Sequence, residues 1–139
     1  MQLTRAADYA VRIMIHLATL PSGARPNRAA LAEAGEIPEH YVGKVLQALA
    51  RAGLIASQRG MKGGFALAQP PAEITLLRVI EAIEGPTQLN ACLVAQGDGC
   101  SRRGWCPAHH VWIEAQDAMT RVLRQATIAA LAAQVAPTD

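Results

Sequence analysis

The stretch LIASQRGMKGGFALAQ, residues 54–69, places the tightest constraint on how this chain can fold. Apolar and polar residues alternate on either side of a glycine-rich turn, the pattern of a two-stranded hairpin. The tip, Arg59-Gly60-Met61-Lys62-Gly63-Gly64, presents two cations on a backbone that glycine leaves free to turn.

Three helical patterns precede it. Thr4 is an N-cap residue, and Ala6, Ala10, Ile13, Met14, Leu17 and Ala18 recur at helical spacing, predicting a helix over 5–20 with one apolar face. Pro21, Gly23 and Pro26 end that pattern. Asn27 caps a second, shorter helix holding Ala29, Ala30, Leu31 and Ala34 and closed by Gly35. Pro38 stands where a third helix begins, and IPEHYVGKVLQALARAGL carries it to a stop at Gly53.

In this third helix Val42, Val45, Leu46 and Leu49 form the inward stripe. His40, Lys44, Gln47 and Arg51 fall on the opposite side, with Tyr41 beside them and Gly43 leaving a gap where backbone could come close to another surface. A helix docked in the major groove needs donors for base edges and phosphates, and this face supplies them without a carboxylate in its middle. The same face alone would also suit an ordinary solvated helix. The order helix, helix, helix, basic hairpin decides for a winged helix-turn-helix, with Arg59 and Lys62 on the wing. A phosphate-cradling loop of the nucleotide-binding kind is a poor fit, because these glycines lie between strands and open no helix.

Charge follows the same division. Residues 1–69 hold eight Lys/Arg against four Asp/Glu, a balance of +4; residues 70–139 hold five against seven, a balance of −2. A basic half joined to a mildly acidic one suits a polyanion-binding module with a regulatory or assembly module, although an offset this small also arises by chance. With 51% hydrophobic and 17% charged residues, the chain of 139 can bury a core. No apolar run approaches the roughly 20 residues that span a bilayer. Arg5, Asp8 and Arg12 interrupt the segment a signal peptide would keep apolar, so the expected location is the cytoplasm and no membrane partner is expected.

Pro70-Pro71 marks the end of the DNA-binding domain, 1–70. Within 71–139, ITLLRVIEAIEG is a linker helix with Leu76, Leu77, Ile80 and Ile83 inward, stopped by Gly85-Pro86. A loop over 91–110 then holds every cysteine of the chain. From Pro107 to about Leu131, Val111, Trp112, Ala115, Met119, Val122, Leu123 and Ala126 share one broad face, predicting a long helix that packs against its twin in a dimer. Folding back onto its own winged domain is the competing arrangement. The fold class expected is therefore mainly α with a small β-hairpin: a winged helix-turn-helix plus a long dimerisation helix.

The chain resembles the IscR/NsrR/RirA group of bacterial winged-helix repressors, several of which bind an iron–sulfur cluster. The resemblance covers nearly its whole length. It rests on the opening MQLTRAADYAVR, on GLIASQRGMKGGFAL with an arginine before the wing, on ITLLRVIEAIEG, and on the three-cysteine loop before a long helix. It implies a transcriptional regulator, a repressor, that binds a pseudo-palindromic double-stranded operator as a homodimer. It also implies a cluster, [2Fe-2S] or [4Fe-4S], ligated by Cys92, Cys100 and Cys106 and sensing iron, nitric oxide or redox state. The fourth ligand differs among members: His109, three residues after Cys106, matches one pattern, and Asp8, donated by the partner subunit, matches another. The first gap of this Cys-x7-Cys-x5-Cys loop is longer than is common in the group.

Thiolates are the standard ligands of such clusters, and a harder imidazole or oxygen at one corner makes that corner more labile. Gly97 and Gly99 would let the loop curl around an inorganic core, and Cys106 stands where the positive end of a helix dipole suits an anionic sulfur. Three cysteines with His109 are also a legal zinc set, though no Cys-x2-Cys pair is present. A cluster-free thiol switch is a third option, since cytoplasmic thiols are kept reduced until oxidised. Cys106 with His109 imitates a nucleophile–base pair, but no oxyanion element or orienting carboxylate accompanies it, so no catalytic residue and no enzymatic activity are expected.

Overall fold

The computed structural model describes residues 2–93 and 100–135. The expected roles of Gly97 and Gly99 lie outside them. Helix α1, Arg5–Thr19, starts where the Thr4 hydroxyl accepts the Ala7 amide at 3.2 Å, satisfying one of the orphan donors of the first turn. Asn27 does the same for α2, Arg28–Ala34, accepting the Ala30 amide at 2.8 Å. Helix α3, Glu39–Arg51, begins just after Pro38, whose missing N–H costs nothing there. Gly53, with φ of +75°, then turns the chain into the hairpin, in the left-handed region that disfavours a side chain.

Strands β1, Ile55–Gln58, and β2, Gly64–Leu67, pair antiparallel with Ile55 opposite Leu67 and Gln58 opposite Gly64. The hairpin is pinned from below by the chain between α1 and α2. The Phe65 amide donates to the Pro26 carbonyl at 2.9 Å. A Cβ on Gly64 would fall on the Arg25 and Pro26 carbonyl oxygens, so the close approach requires glycine.

A 3-10 turn at Pro71–Glu73 leads into α4, Leu76–Glu84, capped by the Thr75 hydroxyl and stopped at Gly85. Leu77 and Ile80 are buried as their spacing predicts. Leu76 and Ile83 are only half-buried, and Val79 is fully buried instead. Ile13, Met14, Leu31, Val42, Leu49, Leu54, Ile74, Val79 and Ile128 belong to one core cluster, so the packing runs across residue 70 rather than stopping there. Each such side chain, moved from water to this interior, stabilises the fold by about 1.5–3 kcal/mol.

The long helix is a correction. Helix α5 runs only over His109–Gln125, and the chain breaks at Ala126 before a short α6, Ile128–Ala132. Thr127 caps α6 through the Ala130 amide at 3.1 Å, and residues 126–128 lie beside the start of α4. There the Leu76 amide donates to Ala126 at 2.8 Å and the Ile128 amide to Ile74 at 2.9 Å. Ile128 is driven into the core against α1, where it has no exposure. Burying one β-branched side chain and capping a new helix outweighs continuing α5 into solvent. The last turns thus do fold back onto the winged half, while α5 packs chiefly on α4. The result is a mainly helical winged helix-turn-helix, and no helix among the described residues is long and apolar enough to cross a membrane.

Candidate nucleic-acid interface and thiol cavity

Packing of Val42, Val45, Leu46 and Leu49 against α1 and α4 fixes the rotation of α3 and turns His40, Lys44, Gln47 and Arg51 outward, all exposed. The structure brings these four together on one face, as their spacing predicts. Tyr41 stands to one side of it. Its ring meets Tyr9 of α1 edge-on, centroids 5.5 Å apart at 76°, and His40 sits 5.8 Å away on its other flank. On the wing, Arg59 and Lys62 are exposed and the Gly63 amide closes the turn on the Gly60 carbonyl at 2.9 Å. Among the described residues the one ion pair is Arg12–Asp8, so Lys44, Arg51, Arg59 and Lys62 carry no carboxylate partner. Exposed, unpaired cations create a positive potential that draws a polyanion.

The gap at Gly43 is not open, which corrects the expectation that backbone approaches another surface there. The Arg28 guanidinium of α2 fills it and donates to the Glu39 carbonyl at 3.2 Å. Spacing along α3 cannot reveal a residue contributed from α2. The only hint in the sequence was a lone arginine at the start of a short helix.

The cysteine loop forms a second site. Cys92 is buried in a 3-10 turn at Ala91–Leu93, Cys106 is half-buried and Cys100 is exposed. The Leu89 amide donates to the Gln116 side chain at 2.9 Å, tying the entrance of the loop to α5. Short bonds from the Arg103 amide to Cys100 and from the Cys106 amide to Arg102, 3.1 and 2.8 Å, wind the exit into turns. His109 opens α5 with its amide on the Cys106 carbonyl at 3.1 Å.

All three cysteines and His109 then line one cavity of about 290 Å³, together with Arg103 and Trp112. All three thiols are free. Nδ1 of His109 is buried with no hydrogen-bond partner, one of two such side-chain atoms among the described residues. An unsatisfied buried polar atom costs about 1–3 kcal/mol, so this nitrogen is available to a ligand or a water. Among the described residues no three His, Cys, Asp or Glu side chains converge tightly enough to hold a single ion. The donors ring a void instead of meeting at a point. Soft sulfurs with one imidazole are donor types that suit an iron–sulfur core. Asp8 is elsewhere: its carboxylate is held 2.7 Å from Arg12, on α1.

The chain matches the model of the Rrf2 family, described as an iron-dependent transcriptional regulator, over residues 3–134. It is 35% identical over 131 residues to the HTH-type transcriptional regulator NsrR of Geobacillus kaustophilus, covering 94% of this chain and 89% of that protein. Its fold is similar to that of CymR, the global cysteine regulator of B. subtilis, with a TM-score of 0.78 at 27% identity, covering 98% and 99% of the two chains. T. potens IscR shares the fold with a TM-score of 0.76 at 24% identity, covering 99% and 94%.

Proposed function

Since the chain belongs to the Rrf2 family of transcriptional regulators, we propose that it is a cytoplasmic, homodimeric repressor whose operator affinity is set by an iron–sulfur cluster. Cys92, Cys100, Cys106 and His109 would hold the cluster, which senses iron supply, nitric oxide or redox state. The observation that carries this reading is the shared cavity, with the buried, unpartnered Nδ1 of His109 in its wall. A zinc ion wants four donors at about 2.0–2.3 Å from one centre, whereas a cluster spreads its ligands over several irons, and donors set around a void favour the cluster. When bound, the group supplies redox-active iron with an exchangeable corner.

The protein's own residues do the rest. Binding would fix the turns from Cys100 to His109 and so the start of α5. Gln116 passes that constraint to Leu89 and the end of α4, which packs on α1 and α3. A ligand that favours one arrangement of such an element shifts the population of DNA-competent molecules. The donor face of α3 and the wing cations Arg59 and Lys62 would then engage the double-stranded operator. The apolar side chains Val111, Trp112, Ile113 and Val122, exposed along α5, favour a second copy of the chain as their cover, and a two-fold protein suits a two-fold DNA site.

Likeness to CymR favours one alternative, a cluster-free thiol switch in the same loop; CymR of Staphylococcus aureus, at 28% identity, is known in an oxidized form. An absorption spectrum of anaerobically purified protein, with iron and acid-labile sulfide assayed, separates the two. Brown or red protein is expected. A colourless protein that forms a reversible disulfide would establish the thiol switch instead. His109→Ala should shift the spectrum or shorten the cluster's lifetime; if Asp8→Ala does so and His109→Ala does not, Asp8 is the fourth ligand.

A further inference from the structure

We propose that Arg28 contacts DNA directly, binding a backbone phosphate at the flank of the α3 donor face through the notch at Gly43. This rests on the operator-binding reading above. An ideal Cβ at position 43 would lie 2.8 Å from the guanidinium carbon and Nη2 of Arg28 and 3.0 Å from Nη1. Any residue but glycine would therefore push the guanidinium aside. Nη2 donates to the Glu39 carbonyl at 3.2 Å, which holds the group over α3. Among the described residues that is its only hydrogen bond, and neither Glu39 nor any other carboxylate pairs with it.

A guanidinium has five N–H donors, so most remain for a ligand. Gly43 is one helical turn from both His40 and Gln47, which places the cation at the edge of their face. In a helix-turn-helix the first helix of the pair crosses the sugar–phosphate backbone, and Arg28 stands in the first turn of that helix. The planar fork of arginine matches phosphate oxygens, and its hold on the Glu39 carbonyl already limits the freedom lost on binding. Glycine at 43 is thus explained as the space that admits an arginine from α2.

The test uses the full chain and duplexes enriched by the wild type from a randomised pool. Affinity is measured by fluorescence anisotropy across a salt series. Arg28→Ala should weaken every duplex by about tenfold near 0.1 M salt and lower the log–log salt slope by about one per bound protomer. Arg28→Lys should keep the slope, because the charge remains. Gly43→Ala meets only the end of a flexible side chain and replaces a helix-interior glycine, so it should fold with a melting midpoint no lower than the wild type's yet lose affinity as Arg28→Ala does. The double variant should be no weaker than Arg28→Ala. An enriched pool bound equally by Arg28→Ala, with the same slope, overturns the proposal and leaves operator binding standing. So does a loss confined to one base pair, or further weakening when Gly43→Ala is added to Arg28→Ala. A wild type that enriches no sequence overturns the operator reading and this one with it.

Discussion

Along α3, four apolar residues, Val42, Val45, Leu46 and Leu49, are buried, whereas none of the 17 residues of α5 is. Both helices are amphipathic and both begin without a side-chain cap. What differs is who covers the apolar face. For α3 the chain supplies its own cover, from α1, α4 and Leu54. Helix α5 touches α4 and the 3-10 turn of the cysteine loop, and leaves Val111 at 47% and Val122 at 62% exposure. Helical stability in proteins comes chiefly from packing of such a face, so α3 draws more support from the rest of the chain than α5 does. The core that α3 helps to build is closed by the chain's own residues, Ile74, Val79 and Ile128 among them, whereas the apolar face of α5 is left open.

If that contrast is right, the largest stability losses lie in the winged half. Leu49→Ala, at a position with no exposure, should cost about 2–5 kcal/mol in chemical denaturation. Next comes Gly64→Ala, which meets rigid carbonyls of Arg25 and Pro26 and should cost about 1–3 kcal/mol while displacing the wing. Asn27→Ala removes a cap and should cost about 1 kcal/mol. Val122→Glu belongs to the other half. At a protein concentration low enough to hold the chain monomeric, it should change unfolding by no more than about 0.5 kcal/mol. In light scattering at high concentration, the same variant should remain a monomer where the wild type is a dimer, since association would bury an unpaired carboxylate. A dimeric Val122→Glu protein would place the interface off this face.

The same contrast explains what was legible in the sequence. Thr4 and Asn27 act as caps, the hairpin turns where its glycines stand, and the α3 face is as its spacing drew it, because each depends on residues within a few positions of one another. The break at Ala126 was missed because Val122, Leu123 and Ala126 keep helical phase right up to it. Thr127 before Ile128 was the available signal for a restarted helix, since a β-branched hydroxyl residue suits the extended cap position. Arg28 over Gly43 joins residues on separate helices, a contact that no periodicity encodes. The cysteines were legible as donors by type, but their convergence with His109 on one cavity is a property of the fold.

The central claim, that the cavity is the switch for the donor face, is tested most directly by operator affinity of one preparation measured anaerobically in two states, cluster-loaded and cluster-stripped. Loading touches no residue of α3 or the wing, yet the two states should differ by at least about tenfold, or about 1.4 kcal/mol, the low end of allosteric coupling. Cys100→Ala should lose its colour and bind with the stripped affinity. A coloured wild type whose two states bind the operator equally would contradict the account.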